Sequence, residues 1–286
     1  MTTTVAVATA VPAHEARPAV LARPTFLGIL RGEWIKLLSL RSTWWTLAAT
    51  VLLMTGVSLA VAASLDTVAA DPATGPGLAA LTGAEVVSGG FQLGMLTIAV
   101  LGALLMTGEF STGMIRSTLA AVPTRTPVLA AKAIAVAAVT AAVVALGTAV
   151  SYTVTMPLLA PHGMVPALDE LRTWQVFGGT LYFLVAAALF SLGVGTLLRS
   201  SAGAITVALT VLLLLPSFLV FVTLDWVETA VEYLPLPASG AFLGGGEDSL
   251  SAVGDGLTPA TGLLVVAAYA VVPLVAGAAA LRRRDA

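Results

Sequence analysis

AIAVAAVTAAVVALGTAVSYTVTM, Ala133 to Met156, runs for 24 residues without a Lys, Arg, Asp or Glu. A helix rises about 1.5 Å per residue, so this stretch is long enough to cross a hydrocarbon core of roughly 30 Å. Five more runs of the same character flank it: Trp44–Ser64, Ser88–Thr107, Val176–Leu198, Ala202–Leu224 and Thr261–Leu281. None of them carries a charge. Lipid offers no partner for backbone N–H and C=O groups, so a spanning segment satisfies them internally as a helix or closes into a barrel. Barrel strands alternate in polarity and are about half this length. The reading is an all-α polytopic membrane protein with six transmembrane helices.

Composition agrees. Of 286 residues, 58% are AVILMFWYC and 10% are charged, against roughly 25% charged in soluble domains. That excludes a soluble enzyme, a nucleic-acid binder and a disordered chain. There is no cysteine, so disulfides, thiol nucleophiles and cysteine metal sites are ruled out. The two histidines, His14 and His162, fall outside the long apolar runs, so no metal site is expected.

The few charges are sorted. Arg17, Arg23, Arg31, Lys36 and Arg41 precede the first run; Arg116, Arg125 and Lys132 lie between the second and third; Arg199 sits in the short fourth loop; Arg282, Arg283 and Arg284 end the chain. These are 12 of the 13 basic residues, with only Arg172 on the other side. Eleven of the 15 acids fall opposite them. The positive-inside rule then puts both termini in the cytoplasm, and an even span count gives the same parity. Trp34, Trp44, Trp45, Trp174 and Trp226 all stand at or beside a span end, where an amphipathic indole suits the interface.

Residues 1–25 read as a disordered cytoplasmic tail, interrupted by Pro12, Pro18 and Pro24 and without the basic start of a signal peptide. Residues 26–286 read as a single six-helix transmembrane domain. Within it, FLGILRGEWIKLLSLRS, 26–42, places Leu27, Leu30, Trp34, Leu37 and Leu38 at three- and four-residue spacing, with Lys36 and Ser39 roughly opposite. This predicts an amphipathic helix lying in the interface before span one. The outer loop 225–257 is acidic, and Trp226–Leu236 is either a short helix dipping into the leaflet or a solvated loop. Gly90/Gly94 and Gly147/Ser151 form small-residue pairs suited to close helix packing, within the chain or between copies. Pro216 and Pro273 lie inside spans five and six and favour kinks, with a hinge as the functional alternative.

No phosphate-binding glycine loop or nucleophile elbow occurs, and no acidic or histidine pair lies at membrane depth. An enzyme is therefore not expected. Proton-coupled carriers commonly use intramembrane carboxylates or histidines, whereas these spans offer only hydroxyls such as Ser58, Thr140, Ser151 and Thr210, which could still coordinate sodium. That favours a membrane part energised from outside itself. A carrier acting alone and a non-transporting assembly or sensor protein are the alternatives.

The informative loop, 108–132, contains EFSTGMIRSTLAAVPTRTPVLAAK, Glu109 to Lys132. Ser111 or Thr112 is placed to cap a following helix, and Gly113 to break the span-two helix. Met114, Ile115, Leu119 and Val122 form an apolar stripe, and Arg116 and Arg125 face water or headgroups. Glu109 reads either as a span-end partner of Arg116 or as part of a coupling surface. In Glu109, Phe110, Gly113, Ile115 and Arg116 the loop resembles the motif after span two of the membrane-spanning permeases of bacterial ABC transporters, type-2 exporter class. Tyr233–Gly245 resembles the outer loop before their last span. The resemblance covers most of the chain from about Arg31. It implies a coupling role for Glu109, Phe110, Gly113, Met114, Ile115, Arg116 and Arg125. It also implies a separate ABC ATPase subunit as partner, a second permease subunit (the same chain or another), no cofactor and a place in the plasma membrane.

Overall fold

A computed structural model describes residues 25–69, 81–115, 117, 125–243 and 257–283. The expected tail, Arg116 with most of the loop after it, and the Arg125 side chain lie outside the described residues. The described chain is all helical, with six helices long and apolar enough to cross a membrane. It is a multi-pass membrane protein.

The first helix, α1 (Phe26–Ser39), starts at Thr25, whose side chain accepts a hydrogen bond from the Gly28 N–H. It ends at Leu40 in extended backbone. Span one is α2 (Arg41–Ala69). A short helix α3 (Gly83–Ser88), opened by a Thr82/Glu85 capping box, leads into span two, α4 (Phe91–Ser111). Span three is α5 (Arg125–Leu159), and it runs through Pro157. Span four is α6 (Leu171–Leu198). Span five is α7 (Ser201–Leu209), a π-helical turn (Thr210–Leu214) and α8 (Leu215–Leu219). Two short helices follow, α9 (Asp225–Glu232) and α10 (Pro235–Leu243), and span six is α11 (Pro259–Arg283).

Several helices run past the ends of their apolar runs, and two boundaries bear on the site. Span three begins at Arg125, eight residues before the apolar run, which puts Lys132 two turns inside the helix. Span five ends at Leu219, short of Leu224, and its π turn stands immediately before Pro216. Pro216 has no N–H to offer the preceding turn, and the Leu215 N–H reaches back five residues to the Thr210 carbonyl. In the outer loop, the Trp226–Leu236 segment is split between α9 and α10. Ala238, Ser239 and Leu243 of α10 are buried, and a Cβ on Gly262 of span six would stand 2.5 Å from the Ala238 carbonyl oxygen.

Span four is the central helix, packed on spans two and six. Gly193 faces Pro273 so closely that a Cβ there would lie 2.7 Å from the proline Cβ. Pro273 is thus seated in a notch of span four. Span one is held by a shape fit at Met54, which is 1% exposed. Added Cβ atoms would stand 2.2 Å from the Met54 carbonyl oxygen at Gly90, 2.9 Å from its Cγ at Gly94 and 3.2 Å from its Sδ at Gly147. Both small-residue pairs are therefore used inside the chain, where backbones approach closely. Thr50–Thr97 (2.8 Å) and Ser151–Thr55 (3.3 Å) hydroxyl contacts bind the same helices.

Candidate coupling site at the basic end of the bundle

Glu109 closes span two at one end of the bundle. It is 6% exposed, and its Oε1 accepts hydrogen bonds from Lys132 Nζ of span three at 2.9 Å and Lys36 Nζ of α1 at 3.2 Å. Lys132 is itself 4% exposed and also donates to Glu33 Oε2 at 2.5 Å. Lys36 donates to Glu33 Oε1 at 2.8 Å. Two carboxylates and two ammonium groups thus form one network of zero formal charge, joining α1, span two and span three. Burying an ion is costly unless it is paired and hydrogen-bonded. Here each of the four groups contacts both ions of opposite sign.

The network explains how α1 sits. Glu33 lies on the same side as Leu30 and Leu37, three residues before and four after it, and Leu37 is 3% exposed. That side packs on span three. Leu27 and Trp34, placed with Leu37 by spacing, are left outside the bundle at 75% and 39% exposure. The reason is that an ion pair occupies the buried stripe. Burial by itself pushes the Glu33 carboxyl up, but Lys132 and then Lys36 outweigh it and hold it below its ordinary value. For Lys36, burial pushes the ammonium down, and Glu33 and Glu109 together hold it above its ordinary value.

A second connection leaves the next residue. The Arg199 guanidinium lies 5.0 Å from the centre of the Phe110 ring. Arg199 makes the turn from span four to span five with φ +55°, a left-handed conformation uncommon for a residue with a Cβ. Ser201, at the start of span five, donates to the Thr107 hydroxyl at 2.9 Å. Thr107, Glu109 and Phe110 therefore connect the last turn of span two to α1 and spans three, four and five.

The loop then leaves the helix through Gly113, whose φ of +71° suits glycine at a helix C-terminus. Ser111 and Thr112 close the end of span two, and most of the helix they are expected to cap lies outside the described residues. Their hydroxyls donate to the Gly108 carbonyl at 3.0 and 2.8 Å. Of the apolar stripe, Ile115 is 3% exposed and Met114 is 47% exposed; Leu119 and Val122 lie outside the described residues. Glu109 is paired with lysines 36 and 132, while Arg116 is outside the described residues and Arg125 is described only by its backbone. The structure thus brings Glu109 and Phe110 into contacts with other helices. It places Gly113, Met114 and Ile115 beyond them on the way out.

Sequence reasoning missed Glu33 and used Lys36, Lys132 and Arg199 only as topology markers. The signal for Glu33 was an acid in register with Leu30 and Leu37. For Lys132 it was a base on the side of span three that also carries Leu129 and Val136, both buried. The five tryptophans are all exposed, as interfacial residues are. Two share one device: the indole N–H of Trp44 donates to the Leu38 carbonyl and that of Trp174 to the Leu168 carbonyl, each at 2.8 Å. Each tryptophan thus satisfies a carbonyl six residues back, where the chain bends into a span.

Comparison with known proteins adds no relative: no family model and no curated protein matches the chain.

Proposed function

We propose that the chain is the membrane-spanning permease subunit of an ATP-driven exporter of the type-2 ABC class in a bacterial plasma membrane. Both termini are cytoplasmic, and ATP is hydrolysed by a separate subunit bound to the loop after span two. A second permease subunit completes the transporter. The observation that carries this reading is the Glu33–Lys132–Glu109–Lys36 network. The motif that resembles a coupling loop begins at the one residue of span two that is ion-paired to two other helices.

The mechanism follows from that connection. Closure of the ATPase subunits displaces the loop from Gly113 onward. Glu109 passes the displacement to α1 and span three through paired charges. Phe110 and Thr107 pass it to the span four–five turn through Arg199 and Ser201. Pro216, beside the π turn of span five, and Pro273 of span six, seated in the Gly193 notch of span four, are where spans five and six would bend.

Affinity purification of the tagged chain from its host in mild detergent tests the proposal. Co-purification of an ATPase with a phosphate-binding loop, and vanadate-sensitive ATP hydrolysis in the eluate, is expected. Folded protein that recovers no ATPase across several detergents and nanodiscs would reject it. A carrier acting alone is the second reading, favoured by the burial of ionisable Glu33, Glu109 and Lys132 together. Transport into liposomes under an ion gradient without ATP would select it.

A further inference from the structure

Only one side of α1 is used in docking on the bundle. Leu27, Arg31, Trp34 and Ile35 share another side at helical spacing and are all exposed, Leu27 by 75% and Ile35 by 57%. No described residue covers them. Beyond the break at Leu40 come exposed Arg41 and the indoles of Trp44 and Trp45, 58% and 76% exposed. Neither Arg31 nor Arg41 is ion-paired among the described residues. The acids that could have neutralised this surface, Glu33 and Glu109, are buried and already matched by Lys36 and Lys132.

The uncovered surface therefore has large apolar side chains, exposed indoles at a span end and cations with no ion-pair partner among the described residues. An occupant must offer hydrocarbon and negative charge together. A zwitterionic lipid supplies the first without net charge, and a free anion supplies the second without hydrocarbon. We propose that this side of α1 is a binding site for an anionic phospholipid. Its acyl chain lies against Leu27, Trp34 and Ile35, and its phosphate headgroup is held by Arg31, with Arg41 adding charge. The exposed Trp44 and Trp45 beside Arg41 suit headgroup depth. The site stands whether or not the chain partners an ATPase, because it uses none of the loop after span two.

Quenching of Trp34 by brominated lipid tests it on the full-length chain in nanodiscs. The Trp34 signal is the difference between the native protein and Trp34→Phe. Acyl-brominated phosphatidylglycerol and phosphatidylcholine are compared at equal mole fraction. The native chain should prefer phosphatidylglycerol by about fivefold for each arginine that contacts the headgroup. Arg31→Gln should lower that preference, and Arg31→Gln with Arg41→Gln should bring it to parity, with unchanged helical circular dichroism showing that the fold is kept. Equal quenching by the two lipids in the native chain, or a preference that survives both substitutions, would overturn the proposal. So would relief of quenching by inorganic phosphate alone, which would make this a free-phosphate site. Absence of quenching by either lipid would mean that protein covers this side, and it would equally overturn the proposal.

Discussion

The two ends of the bundle are both rich in charge but use it differently. At the basic end, Glu33, Glu109 and Lys132 are buried and share partners within 3.2 Å. At the acidic end, the pairs are single and longer: His162–Asp66 at 3.5 Å with the aspartate 86% exposed, and the half-buried Arg172–Glu85 at 4.0 Å. Exposed pairs contribute little to stability, and a buried pair is expensive to break once built. The acidic end is instead held by shape, as where Gly83 meets the Met164 backbone and Gly262 meets Ala238. The contrast teaches that the basic end is built for a fixed relative position of three helices.

That contrast is most severely tested by Lys132→Met. It strips two buried carboxylates of a shared partner and should cost about 3–5 kcal/mol of stability in detergent. Replacing all four network residues with Leu removes the charges together and should restore most of that loss. A Lys132→Met variant as stable as the native chain would erase the distinction between the ends. Next comes the middle of the bundle. Met54→Ala should cost about 2 kcal/mol, since it empties a glycine-lined socket but exposes no charge. The third test is pH. The Glu33 carboxyl is held low in the fold, so the stability it adds is complete above the ordinary carboxylate range and drains as pH falls through its lower folded value. Thermal melts of Glu33→Gln should therefore lose less stability than the native chain on acidification. The smallest effect belongs to the acidic end. Arg172→Ala should change stability by less than about 1 kcal/mol, measured by the same melts.

Much of this architecture was legible in the sequence. Six uncharged runs announce six helices because lipid leaves the backbone no other solution, and Gly113 announces the end of span two. The charge network was hidden because three of its four contacts join residues far apart in the chain. Lys132 and Glu109 are 23 residues apart and Lys132 and Glu33 are 99 apart. Each alone looks like an ordinary span-end charge. Only helix packing shows that they face one another. The docking side of α1 has the same origin: its spacing announces an amphipathic helix, but the buried acid among its leucines decides which side meets span three. The π turn before Pro216 was also illegible, because a proline predicts a disturbance without specifying its form.

The central claim is that the end of span two, α1 and span three move as one body when the loop is displaced. The chain has no cysteine, so spin labels can be placed singly. Ser39, Ser117 and Ala279 are exposed at the basic end. Distances between label pairs should be measured in the complex with the proposed ATPase, nucleotide-free and vanadate-trapped. The Ser39–Ser117 distance should stay constant while Ser39–Ala279 changes, and Lys132→Met should broaden the first. A Ser39–Ser117 distance that shifts between the two states while Ser39–Ala279 stays fixed would contradict the claim.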